Sequence, residues 1–201
     1  MNDGLVDQPL SSRDAEVVQT IEQEGLSVFT FDGLRRITGA HPETLSRTLE
    51  RLEEEGVIIR TTDGYSMTEK AKETALLRPV YSIGKRVPLL HTYLPLGVST
   101  RALVNALRGR WFDKMRWVGL AEGEDGVVLK WVADDGRVLI DAKFSEGQLD
   151  IEARVKKDAD LAGAVRAAHQ LMGRISRMYA SSRPGARHSL MQISYFVPFA
   201  M

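Results

Sequence analysis

Residues 40–67, AHPETLSRTLERLEEEGVIIRTTDGYSM, decide the fold of this 201-residue chain. Pro42 suits the first position of a helix, where no amide donor is needed, and Leu45, Leu49 and Leu52 follow at helical spacing. That stripe leaves Thr44, Ser46, Arg47, Thr48 and Arg51 off the buried side. Gly56 stops the helix. Val57-Ile58-Ile59 is β-branched, and Thr62-Asp63-Gly64 signals a turn into Tyr65-Ser66-Met67. The local order is helix, stop, hairpin.

The preceding residues complete the unit. Ser11 and Ser12 are candidate N-caps for a helix carrying Val17, Val18 and Ile21 and ending near Gly25. Leu26-Ser27-Val28-Phe29 is short and apolar enough to be a strand that pairs with the hairpin. A brief helix follows from about Asp32 to Thr38, with Leu34 and Ile37 inward, and Gly39-Ala40-His41 turns the chain into the next helix. After the hairpin Thr68 caps a further helix, TEKAKETALLR, limited by Pro79.

LSRTLERLEEEGVI followed by RTTDGYSMTEKAKE resembles the winged helix-turn-helix of MarR-like and related bacterial and archaeal transcriptional regulators, over residues 12–78. The resemblance implies a third helix docked in the DNA major groove and a wing on the flanking backbone. Arg47 and Arg51 are neighbours on one helix face, and arginine donates two parallel hydrogen bonds to the guanine edge. Thr44, Ser46 and Thr48 can reach phosphates or base edges. Arg60 and Thr61 lie on the wing, Arg35 and Arg36 on the positioning helix, and His41 at the turn before the recognition helix. The competing arrangement pairs Arg47 with Glu43 or Glu50, and Arg51 with Glu54 or Glu55.

Charge qualifies that picture. Residues 1–78 hold 9 basic and 15 acidic side chains, net −6, whereas 79–201 hold 18 and 12, net +6. Affinity for nucleic acid comes mainly from cations meeting phosphates, so an acidic reader needs favourable placement of its few cations, a second copy, or help from the basic half. A winged helix docked on a protein is the other reading.

With 43% hydrophobic and 27% charged residues the composition is that of a globular protein. The absence of cysteine excludes disulfide frameworks and thiolate metal sites. No apolar run approaches the roughly 20 residues needed to cross a bilayer, and the start lacks a signal peptide's pattern, so no membrane partner and a cytoplasmic location are expected. Residues 1–11 read as a flexible tail.

Residues 79–85 read as a linker, and 86–201 as an α+β domain. Val87 to Leu94 is a strand whose Pro88 favours an edge. Ser99 or Thr100 caps a helix carrying Leu103, Val104 and Leu107. From Met115 the period is two, and Asp-Gly and Glu-Gly turns join four strands into an antiparallel meander. A long helix over about 158–180 carries Leu161, Val165, Ala168, Met172, Ile175 and Tyr179 as an apolar stripe for one face of the meander, and Leu190 to Pro198 is a last strand. The element order is similar to one repeat of the TATA-binding-protein-like fold, in order alone.

Arg166, Arg174 and Arg177, with Lys156 and Lys157 before the helix and Arg183, Arg187 and His188 after it, make an auxiliary basic face, either solvated or touching DNA outside the reader's footprint. Trp111, Trp117 and Trp131 are core or dimer-interface residues, or the lining of an effector pocket. His41, His91, His169 and His188 lack ligand spacing, and no phosphate loop or nucleophile elbow is present. Asp134-Asp135 and Glu124-Asp125 belong to hairpin turns. Neither catalysis nor a cofactor is expected.

These readings converge on an α+β chain, an N-terminal winged helix-turn-helix followed by an α+β domain with an antiparallel sheet and a long C-terminal helix. The expected function is a homodimeric transcriptional regulator of double-stranded DNA. Its C-terminal domain would serve dimerisation, sensing of a small-molecule or protein effector, or auxiliary DNA contact. The alternatives are a protein-interaction adaptor using the winged helix and an RNA-binding module led by the basic C-terminal domain.

Overall fold

A computed structural model of the protein describes residues 12–69, 71, 85–94, 97–156 and 161–182. The expected tail, residues 79–84 of the expected linker, the strand at 190–198 and Lys157, Arg183, Arg187 and His188 lie outside the described residues, whereas Lys85, expected in the linker, begins a strand. Among the described residues five helices accompany eight strands, all paired antiparallel.

The N-terminal elements are α1 (Ser12–Gln23), β1 (Val28–Phe29), α2 (Phe31–Thr38), α3 (Pro42–Glu54), β2 (Ile58–Thr61) and β3 (Gly64–Met67). Val17 and Ile21 of α1, Leu34 of α2, and Leu45, Leu49 and Leu52 of α3 close over Phe29 and Ile58, all buried. The helical spacing of those leucines explains why α3 packs as it does, since one face meets α1 while the opposite face stays in water. Thr68 accepts a hydrogen bond from the Ala71 amide at 3.2 Å, the cap expected of it, although the helix it would start lies outside the described residues.

The second half supplies β4 (Lys85–Tyr93), α4 (Thr100–Leu107), β5 (Met115–Gly123), β6 (Gly126–Ala133), β7 (Val138–Ser145), β8 (Gln148–Val155) and α5 (Leu161–Ser182). Ser99 caps α4 by accepting from the Ala102 amide. Strands β5 to β8 form the meander, and β4 returns beside β8 as an edge strand, its register shifting at Pro88. The missing proline donor explains both the edge position and the irregularity.

The two halves share one sheet, in the order β2-β3-β1-β5-β6-β7-β8-β4. Strand β1, two residues long, pairs with β3 through Val28↔Ser66 and Phe29↔Tyr65 and with β5 through Val28↔Leu120 and Phe29↔Gly119. Amides just outside it add rungs, Ser27 N–H to Leu120 O at 2.9 Å and Thr30 N–H to Val118 O at 2.8 Å. Gly119 permits this approach, because a Cβ there would lie 2.1 Å from the Val28 carbonyl oxygen.

Each face of the sheet has its own helices. Trp117, Trp131, Ile140, Phe144 and Ile151 pack under α4 and α5, whereas Val118, Val132 and Leu139 join the core of α1 to α3. Period-two alternation sends neighbouring residues of one strand to these two cores. The stripe expected on α5 is corrected at its start, since Leu161 and Val165 are 41% and 40% exposed. The buried face is instead Ala164, Ala167, Ala168, Leu171, Met172 and Ile175. Small alanines let the helix lie close to the sheet, which turns the two larger residues outward.

Beside the β1 seam lies a buried ionic cluster. Arg154 donates to both Glu24 oxygens at 2.6 and 2.5 Å and to Asp141 at 3.2 Å, while Lys130 reaches Glu24 at 3.4 Å and Asp141 at 3.2 Å. Two cations and two carboxylates balance each other out of contact with water, and Glu24 ties the end of α1 to β6 and β8 through them. Burial pushes the Asp141 carboxyl up, but Lys130 and Arg154 together outweigh it and hold it below its ordinary range.

Candidate nucleic-acid interface

The approach to α3 is set by local caps. Thr30 accepts from the Gly33 amide at 3.1 Å and its hydroxyl reaches the Trp117 carbonyl at 3.2 Å, so one side chain starts α2 and anchors it to β5. Gly39 ends α2 at φ 70°, donating to the Arg35 carbonyl, and Pro42 opens α3 after His41. His41 is exposed, with no side-chain capping bond.

Two of the residues expected on the outer side of α3 are engaged with α1. Thr48 is fully buried, correcting its expected place off the buried stripe, and donates to Asp14 Oδ1 at 2.7 Å. Arg51 donates to the same oxygen at 2.5 Å, which raises its pKa, the hydrogen bond to Asp14 being the main cause. The reason is Asp14 itself, 3% exposed on α1 and in need of donors, which residues three apart on α3 supply together. The competing arrangement for Arg51, a pair with Glu54 or Glu55, gives way to the pair with Asp14.

The remaining polar face of α3 stays accessible. Arg47 is 70% exposed and pairs with Glu43 at 2.6 Å, Ser46 donates to Glu50 at 3.2 Å, and Thr44 is half-buried. On the hairpin Arg60 is exposed over the Tyr65 ring, 5.5 Å from its centroid, with Glu53 at 3.6 Å. Thr61 is half-buried, its hydroxyl enclosed. Arg35 and Arg36 lie within 3.7 and 3.9 Å of Asp32, and Arg36 also meets Asp134 at 4.0 Å. Exposed pairs of this kind contribute about 0–1 kcal/mol, so each carboxylate holds its arginine only weakly.

Sequence reasoning did not foresee that the hairpin turn touches the second half. Arg108, at the end of α4, meets Asp63 at 3.2 Å. Next to it Trp111 is 57% exposed, with Arg116 over its ring at 4.7 Å and Arg174 donating to its carbonyl at 3.1 Å. Trp117 and Trp131 are core residues, packed edge to face 5.4 Å apart. Of the expected auxiliary face, Arg166 and Arg177 are exposed, while Arg174 is half-buried against the loop.

An apolar groove of about 230 Å³ lies between β4 and α5, lined by Leu89, Leu90, Val165, Ala168 and Met172. Sites for drug-sized molecules are commonly about 300–1,000 Å³, so this groove is smaller than such sites. Among the described residues no three His, Asp or Glu side chains converge as metal ligands, and no helix is long and apolar enough to cross a membrane. Comparison with family models, curated proteins and solved structures finds no match.

Proposed function

We propose that this chain is a double-stranded DNA-binding transcriptional regulator, with residues 12–78 as a winged helix-turn-helix and α3 as its recognition helix. One observation carries the reading. The helices α1 to α3 and the β2–β3 hairpin follow the winged-helix order, with β1 paired to β3, and leave Arg47 and Arg60 exposed on the helix and hairpin that a duplex would meet. Arg47, with Thr44 and Ser46 beside it, reads bases, and Arg60, Arg35 and Arg36 meet phosphates. A homodimer would present two such helices to half-sites about 34 Å apart, and an effector acting on the second half would alter their spacing through the shared sheet.

A second reading has its own support. The outer side of α3 carries Glu43, Glu50, Glu53, Glu54 and Glu55 against Arg47 and Arg51, each of which has a carboxylate within reach. Such a surface also suits a basic protein partner, which makes the chain an adaptor.

Anisotropy titration against a genomic duplex pool at two salt concentrations separates the readings. For the regulator, binding is salt-sensitive and selective, and Arg47→Ala with Arg60→Ala weakens it at least about tenfold, as expected where an arginine contact contributes about 1–3 kcal/mol. No duplex binding at low salt would sink the regulator and leave the adaptor.

A further inference from the structure

We propose that the α4–β5 loop with the first residues of β5, residues 108–116, is a second duplex contact beside the hairpin turn, with Arg110 and Lys114 gripping the phosphate backbone. The inference rests on the duplex-binding reading and adds to it a surface on the other half of the molecule.

Position is the first argument. The antiparallel registers bring the β2–β3 turn, the start of β5 and the β6–β7 turn to the same end of the sheet, because Thr61↔Gly64 closes one hairpin there and Met115↔Ala133 begins the next. Arg108 bridges to Asp63 across 3.2 Å, so loop and hairpin turn form one continuous surface. A backbone followed by the hairpin runs on to the loop.

Charge is the second. The run Arg108-Gly-Arg110-Trp111-Phe112-Asp113-Lys114-Met115-Arg116 holds four cations and one acid. Arg108 and Arg116 are engaged with Asp63 and Asp134. Arg110 and Lys114 are exposed and, among the described residues, have no carboxylate within ion-pair distance. The contrast with α3 decides where the open positive potential lies, since Arg47, Arg51 and Arg60 each have an acid within 4 Å. Phosphate neutralisation, the main source of affinity, therefore falls to the loop more than to the recognition helix.

Rigidity is the third. The loop is pinned by Trp131 Nε1 donating to the Arg110 carbonyl at 2.8 Å, by the Phe112–Met115 bridge, and by Arg174 on the Trp111 carbonyl. Its cations are held on a fixed backbone, which lowers the ordering cost of contact. Arg116 already covers one face of the Trp111 ring, so stacking of a single strand's bases is disfavoured relative to phosphate contact.

The test uses the full chain and a labelled duplex of mixed sequence, with the corresponding single strand, titrated over a salt series. The variants are Arg110→Ala/Lys114→Ala, Trp111→Ala, and Arg47→Ala/Arg60→Ala, each checked by circular dichroism. Removing the exposed loop cations leaves the Arg110 carbonyl bond intact, so the fold is retained. The expected result is an approximately tenfold loss of duplex affinity for the loop variant and a log–log salt slope shallower by about 1.8, the value for two phosphates. Unchanged affinity and slope overturn the loop proposal, and if Arg47→Ala/Arg60→Ala still weakens binding the regulator reading survives alone. Loss confined to the loop variant supports the loop and removes the recognition helix. Single-strand binding that exceeds duplex binding and collapses in Trp111→Ala overturns the duplex assignment, and no duplex binding by the unaltered chain overturns both.

Discussion

Asp14 shows how a single acid redirects a helix face. It is buried on α1 and accepts from Thr48 and Arg51, so removing it leaves the Thr48 hydroxyl without its acceptor and releases Arg51 to water. Asp14→Ala should lower unfolding free energy by about 1–3 kcal/mol, read from urea denaturation, and a change smaller than about 0.5 kcal/mol would refute the role given to Asp14. Thr48 was misplaced by its sequence pattern for a physical reason. A hydrophobic stripe marks where apolar side chains go, and a buried polar residue satisfied by a partner 34 positions away leaves no periodic trace. The pairing of Arg47 with Glu43 was among the open alternatives, because residues four apart on a helix are neighbours on its surface.

At the scale of elements, helices and hairpins were legible because their signals are local: Pro42 and Gly56 around α3, Ser99 before α4, and turn residues between β5, β6, β7 and β8. The pairing of β1 with β5 was not, since two residues carry no period and their partners lie some ninety positions away. The buried ionic cluster across that seam was equally silent. Arg154→Ala would leave Glu24 and Asp141 to share Lys130, two buried carboxylates against one cation, and should cost about 3–5 kcal/mol by chemical denaturation. Because the Asp141 carboxyl sits below its ordinary range when folded, its contribution is complete above its unfolded value of about 4 and is lost as pH falls through the folded value. Comparison of Asp141→Asn with the unaltered chain should therefore reveal a smaller loss of stability in acid below about pH 4, and parallel acid limbs would contradict the linkage.

Among the described residues the chain forms a single eight-stranded sheet with helices on both faces, although its two halves carry opposite net charge. The rungs between β1 and β5, with the Arg154–Glu24 and Arg108–Asp63 pairs, join the two halves. A fragment spanning 86–201 would expose the unpaired edge of β5 together with the apolar surface of Val118, Val132 and Leu139. Such an edge invites strand addition by another chain. The fragment should self-associate in light scattering at concentrations where the full chain gives one discrete species, and a well-behaved monomeric fragment would show that the seam contributes little. Turn formers and element patterns read as two units joined by a linker, and the rungs across β1 add that the two share a sheet.

The two residues of β1 also govern how this chain can be recombined. A crossover in the 79–85 stretch, where the sequence invites a cut, would import a foreign N-terminal unit whose short strand must meet β5 rung for rung against Gly119. A unit with a bulkier or differently twisted strand there would close its own core and still fail to join. Chimeras that exchange the first half are viable only when β1 and β5 travel together, so the inheritable module is defined by a sheet seam rather than by the boundary in the chain.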